Sequence, residues 1–305
     1  MSKKIDIPLF LLTIIFLIYA SFIDVSTYAY TIFLVIIFTV GIPHGALDHI
    51  IYFKKKATAN KNVVLFYVQY LLLIIITGIL WFIFPIASFI VFLLISAYHF
   101  GQSQLFYLNG NQVVRQLLFI SWGAFLLSTI IYYNYSECFK IFSSFEMIEV
   151  DKWMTTDMWL ITMLTSGLLT IFGMVYIAIS QKLATNKLFF ELALLTLFLL
   201  LSVFTTAVIT FTMYFGIWHS LRSLIVEFKT LKNNIFDYNF KIFLKDLVPF
   251  SLAAFIFLAF TYFYSADIIP TLSPYMIFII IISMLTVPHF LIMRTLYDQY
   301  SVNLS

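Results

Sequence analysis

The sequence predicts an all-α fold: a polytopic transmembrane helical bundle of about ten spans (8–10), N-in and C-in. Three observations carry that reading. Hydrophobic residues make up 63% of the 305 and charged residues only 10%, against about 25% charged in a soluble domain. The apolar residues fall in runs of roughly 20, the length at which a helix crosses a bilayer. Lysine and arginine collect on alternate loops, the bias that marks cytoplasmic ends.

Spans are expected near 7–23, 28–53, 63–83, 86–107, 114–133, 157–180, 188–205, 207–226, 246–265 and 273–294. The first follows Lys3 and Lys4 and has no small-residue cleavage site ahead of Asp24, so it reads as a retained helix, not a signal peptide. The apolar run 188–226 is too long for one helix, which places a tight turn near Thr205-Thr206. With the N-terminus inside, Lys54, Lys55, Lys56, Lys61, Arg115, Lys182, Lys187, Lys229, Lys232, Lys241, Lys245 and Arg294 all fall on the cytoplasmic side. Only Lys140 and Lys152 fall outside, in a loop with Glu137, Glu146, Glu149 and Asp151. That loop, 134–156, has the mixed composition of a short interfacial helix, and 227–245 is expected to lie along the inner surface. Without a long hydrophilic block, residues 1–305 read as a single integral membrane domain, multi-pass in the cell (inner) membrane. A net charge of +3 is too weak to suggest nucleic acid, and the lone Cys138 excludes an intramolecular disulfide or a cysteine-rich metal cluster.

The five histidines occupy four stretches inside these spans: Gly41-Ile42-Pro43-His44-Gly45-Ala46-Leu47-Asp48-His49, Tyr98-His99-Phe100-Gly101, Trp218-His219-Ser220-Leu221-Arg222 and Pro288-His289-Phe290. Ionisable groups at membrane depth are costly and usually face a protein interior or a site. His44, His99, His219 and His289 lie about nine, eight, seven and five residues from the inner ends of even-numbered, parallel spans. At 1.5 Å per residue their depths agree within roughly 6 Å. One membrane histidine is more often a helix-to-helix hydrogen-bond partner than a ligand; four in one layer reverse that balance.

Imidazole suits zinc, copper, iron and nickel. Neutral ligands leave the charge of a metal uncompensated, so an anionic or polar group is expected behind them. Asp48 fits, being four residues from His44 and on the same face of a regular helix. His49 points roughly 140° away from His44 and joins a site only if the helix is broken, which Pro43, Gly41 and Gly45 permit. Arg222 near a helix end reads first as a snorkelling cation and second as a site residue. Tyr98 and Trp218 stand beside the histidines, and Phe100, Phe215 and Phe290 are candidates for an apolar substrate wall. Gly41, Gly45, Gly101 and Gly216 fit close helix packing as well as substrate clearance.

In these residues the chain resembles the Brp/Blh family of membrane β-carotene 15,15′-dioxygenases. The resemblance rests on the ordered set G-I-P-H-G-A-L-D-H at 41–49, Y-H-F-G-Q-S at 98–103, F-G-I-W-H-S-L-R at 215–222 and P-H-F-L at 288–291, and spans nearly the whole chain. It implies a non-haem Fe(2+) enzyme that uses O2 to split β-carotene, or a related apolar polyene from the lipid, into two all-trans-retinal molecules, the chromophore of microbial rhodopsins. A product hand-off to such a rhodopsin would follow. The resemblance makes His44, His99 and His219 iron ligands. It departs at Ser223, where the family often carries a second histidine, and at Gln104, where it often carries an acid. The first departure points to His289 or His49 for the remaining ligand. Two other classes fit membrane histidines: a histidine-lined transporter or proton pathway, and a haem-binding membrane protein. A single layer of ionisable residues, without an outer-leaflet continuation, favours a site over a path.

Overall fold

A computed structural model of the chain describes residues 3–55, 62–180, 185–268 and 272–302. Among these its regular structure is all helical, with no strand, and nine helices are long and apolar enough to cross a membrane. Lys56, Lys61 and Lys182 of the predicted charge pattern lie outside the described residues. The first span is α1 (Lys3–Phe22). The second, Ser26–Phe53, is a composite that includes α2 (Ala29–Ile36) and α3 (Asp48–Lys55). Then come α4 (Val63–Ile83), α5 (Pro85–Leu105) and α6 (Gln112–Tyr133). After the short α7 (Tyr135–Ser143) follow α8 (Thr156–Ser180) and α9 (Thr185–Phe204). The predicted eighth span is α10 (Ala207–Thr212), a π-helical stretch Met213–Ser220, and α11 (Leu221–Asn234). It is helical as expected, but with His219, Ser220, Arg222 and Ser223 it is less apolar than the nine. α12 (Phe240–Ile268) and α13 (Pro274–Val302) complete the bundle.

Local chemistry explains the boundaries. Asn62 and Asn111 accept backbone N–H groups at the starts of α4 and α6. Pro85 opens α5 at the position where a missing N–H costs nothing. The turn expected at Thr205-Thr206 is present: Thr206 caps α10 through the Ile209 N–H. Glu137 of α7 accepts the Ala207 N–H at 2.7 Å, placing a carboxylate at the positive end of that helix. The 134–156 loop folds as α7 and two 3₁₀ turns, so a short helix is present where one was expected. Residues 227–234 continue α11 as a two-faced helix, with Glu227 and Leu231 buried and Lys229, Lys232, Asn233 and Asn234 exposed.

Cross-contacts set the directions. A Cβ on Gly101 would strike the Phe119 backbone and one on Gly123 the Ala97 backbone, so α5 and α6 are antiparallel and pressed together at both points. Trp81 donates to Ser283 at 2.5 Å while Gly78 packs on Met284, so α4 and α13 are antiparallel. The four histidine-bearing segments run the same way: Phe33 meets Phe278 where His44 later meets His289, and Tyr214 meets Phe100 where His219 later meets Ser103. The end of the bundle at which α1 begins is called here the N-terminal face.

Candidate metal centre

The two composite spans owe their shape to breaks in α-geometry. Ile37–Gly41 is π-helical and Pro43–Gly45 is a 3₁₀ turn; Met213–Ser220 is a second π stretch. Such π segments recur at functional sites because the extra residue re-aims the side chains that follow. Gly216 lets the two breaks touch, since a Cβ there would collide with the Ile36 side chain.

This arrangement gathers four imidazoles. Ring centroids lie 5.1 Å apart for His44–His219, 4.8 Å for His219–His99, 5.3 Å for His99–His289 and 4.8 Å for His289–His44, all edge to face. The rings thus form a closed four-cornered cluster, buried at every corner. Ligand atoms of His44, His219 and His289 lie within 4.8 Å of one another. Two nitrogens on opposite sides of an ion at 2.0–2.1 Å would be about 4 Å apart, so a small closure suffices.

Hydrogen bonds set which nitrogen faces inward. His44 Nδ1 meets the Gly41 carbonyl, which only accepts, so Nδ1 carries the proton. Ser103 spends its O–H on the Phe100 carbonyl at 2.9 Å and therefore accepts from His219 Nδ1 at 3.0 Å. His289 Nδ1 donates to the Asp48 carboxylate at 2.9 and 3.1 Å, and Tyr70 OH holds that carboxylate at 2.9 Å. In all three rings the Nε2 lone pair is left for a ligand role. His289 Nε2 and both nitrogens of His99 are buried with no hydrogen-bond partner. The converging ligand atoms of His44, His219 and His289 make a donor set that fits a transition metal, and His99, its ring 4.8 Å from that of His219, adds buried nitrogens that have no other partner.

A profile of the family described as beta-carotene 15,15'-dioxygenase matches residues 35–297. The chain belongs to this family. No curated protein and no solved structure matches it. As a member of the β-carotene 15,15′-dioxygenase family, it is a membrane enzyme of carotenoid oxidation.

The dioxygenase fold places the remaining predicted residues unevenly. His49 stays outside the cluster, its ring 4.4 Å from Phe250 and 6.3 Å from Tyr67. Asp48 pairs with His289, not with His44, because the backbone between His44 and Asp48 is not α-helical and the four-residue rule fails there. Arg222 turns away to Asp6, at 3.2 Å, and to the Gln104 amide oxygen. Trp218 donates to Thr13 at 3.0 Å and packs on Phe190 and Phe198. Tyr98 touches Phe290, which lies 5.9 Å from His99. Phe100 lies 5.0 Å from His219, and Phe215 lies 5.7 and 5.6 Å from His219 and His44. These three phenylalanines ring the imidazoles.

Two features were not singled out in sequence. Gln104 donates to Glu191 at 2.9 and 3.1 Å, and Tyr107 OH adds a third bond at 3.0 Å. An acid therefore does stand at this point, supplied by α9. Asp6, Arg222, Gln104 and Glu191 together tie α1, α5, α9 and α11 into one buried polar network. The second is a cavity of about 470 Å³ bordered by His44, Asp48 and His289, with Tyr70, Phe250 and Phe257 among its walls. Phe100, Phe215 and Phe290 do not border it.

Proposed function

We propose that this chain is an Fe(2+)-dependent, non-haem enzyme of the cell membrane that uses O2 to split β-carotene at its central double bond, giving two all-trans-retinal. The observation that carries the reading is the cluster of four buried imidazoles, three of them tied outward at Nδ1 and presenting Nε2. His44, His99, His219 and His289 would hold the iron. Bound iron would supply O2 activation, which zinc, lacking redox chemistry, does not. The chain does the rest. Asp48 fixes the ring plane and tautomer of His289 and is itself fixed by Tyr70. Ser103 does the same for His219. The apolar walls hold the polyene against the cluster and keep water away. One O2 adds across the broken C=C bond, one atom to each half, so the reaction balances with no further reductant. Retinal released into the lipid is then within reach of a microbial rhodopsin.

The rival readings fare worse. The imidazole rings approach within 4.8–5.3 Å, too close for a porphyrin between any neighbouring pair. Every buried Asp, Glu and His among the described residues lies in this layer or on its N-terminal side, so these groups do not form a path across the bundle.

Expression in β-carotene-producing cells tests the proposal. The orange pigment should bleach and retinal should accumulate, dependent on O2 and iron; persistent colour with folded, iron-loaded protein would reject it. The N-in, C-in orientation is tested by Thr58→Cys and Asn233→Cys. Neither should react with an impermeant thiol reagent added outside intact cells, and labelling of either would overturn that orientation.

A further inference from the structure

His219 is gripped by α1 on both sides along the chain. Trp218, the residue before it, donates to Thr13 at 3.0 Å, and Arg222, three residues after it, pairs with Asp6 at 3.2 Å. Thr13 and Asp6 lie roughly two turns apart on one helix. Between the two grips the π stretch Met213–Ser220 ends and α11 begins. A π stretch is rare geometry, so its placement depends on contacts of this kind. α1 itself precedes the segment that matches the family profile. A third hold comes from α5. Ser103 accepts from His219 Nδ1, and the next residue, Gln104, accepts from Arg222 through its amide oxygen. Glu191 of α9 decides which way that amide faces. An ionised carboxylate only accepts, so its two contacts with Gln104, at 2.9 and 3.1 Å, take the NH2 group and leave Oε1 for the guanidinium. Tyr107 donates to the same carboxylate at 3.0 Å. Asp6, Gln104 and Glu191 are all buried.

Stability alone does not call for this arrangement. Two carboxylates and a guanidinium lose their hydration on burial, and hydrocarbon of equal volume in their place is often neutral or stabilising. We propose that Asp6 and Glu191 are positioning residues of the metal centre: through Arg222 and Gln104 they hold the span that carries His219 and set the direction of its Nε2. This rests on the reading above that His219 holds iron. The two acids act at different points. Asp6 fixes the guanidinium from α1, and Glu191 fixes the amide from α9. Arg222 is thereby tied at two points, one turn beyond the ligand, while Ser103 holds the imidazole itself.

The test uses purified full-length protein and Fe(2+). Iron affinity is measured by competition with a chelator, beside the electron paramagnetic resonance spectrum of the nitric oxide adduct and the unfolding temperature. Glu191→Gln keeps the shape but both donates and accepts, so it no longer dictates how Gln104 faces. It should weaken iron binding about tenfold, the low end for groups that orient a ligand, and alter the spectrum, with the unfolding temperature unchanged or raised. Asp6→Asn should do the same. The exchange variant Gln104→Glu/Glu191→Gln puts the carboxylate directly on Arg222 and keeps every group paired. It should return affinity to within about threefold of wild type, as coupled neighbours do when their pairing is restored. Wild-type affinity and spectrum in Glu191→Gln, or an exchange variant that binds iron no better than Glu191→Gln, overturns the proposal. So does iron loss that only parallels a falling unfolding temperature across the variants. If Glu191→Gln does not fold, wild-type affinity and spectrum in Asp6→Asn overturn it instead. Failure of the metal reading looks different, since wild-type protein would then bind no iron.

Discussion

His289→Ala is expected to strip the protein of iron and lower retinal formation by more than a hundredfold. His289 stands at one corner of the imidazole cluster with Nε2 buried and without a partner, and it is the ring that Asp48 is aimed at. Its removal takes away a ligand and leaves a carboxylate buried with only Tyr70 beside it. Leaving a buried acceptor without its donor typically costs about 1–3 kcal/mol, more where the group is charged, so a lower unfolding temperature in detergent should accompany the lost iron. His49→Ala is the contrast. Its ring lies on Phe250, outside the cluster, and iron content should stay near the wild-type level. Iron lost from the His49 variant but kept by the His289 variant would reverse the assignment.

Asp48→Asn should cut the turnover rate about 10–100-fold, the usual cost of removing the group that orients a metal-binding histidine, at a protein level close to wild type. The amide keeps the shape of the carboxylate but has one acceptor oxygen for two donors, His289 Nδ1 and Tyr70 OH. It also lacks the charge that makes the imidazole a better ligand. Tyr70→Phe removes only one of the bonds to Asp48 and should cost less, about threefold to tenfold on the same scale. Iron affinity measured by competition with a chelator separates the two effects from simple misfolding. Equal activity of Asp48→Asn and wild type would show that the Asp48–His289 pair does not support the metal.

The four-histidine layer was legible before any coordinates because imidazole in an apolar helix has few bland explanations, and because loop lysines fix where each helix ends. The turn at Thr205-Thr206 was legible from length alone. The partner of Asp48 was not. The i, i+4 reading assumes a regular helix, whereas the chain passes from a π segment at Ile37–Gly41 into a 3₁₀ turn at Pro43–Gly45 before Asp48. Tyr70 gave no signal, as one of 19 tyrosines on an otherwise ordinary span. Ser103 lay inside a quoted motif, but its bond to His219 depends on how two distant spans meet. Glu191 and Asp6 gave no signal in sequence; only the packing of α1, α5, α9 and α11 joins them through Arg222 and Gln104. The cavity was out of reach for the same reason, since its walls come from helices far apart in sequence.

Product analysis on purified enzyme, reconstituted with Fe(2+) under nitrogen and then exposed to O2 and β-carotene, tests the central claim most directly. About one iron per chain should be bound through the histidine cluster, and all-trans-retinal should be the single carbon-chain product, two molecules for each β-carotene consumed. Unequal apocarotenals from the wild-type protein, or equal product yield from apo-protein in the presence of a chelator, would contradict it.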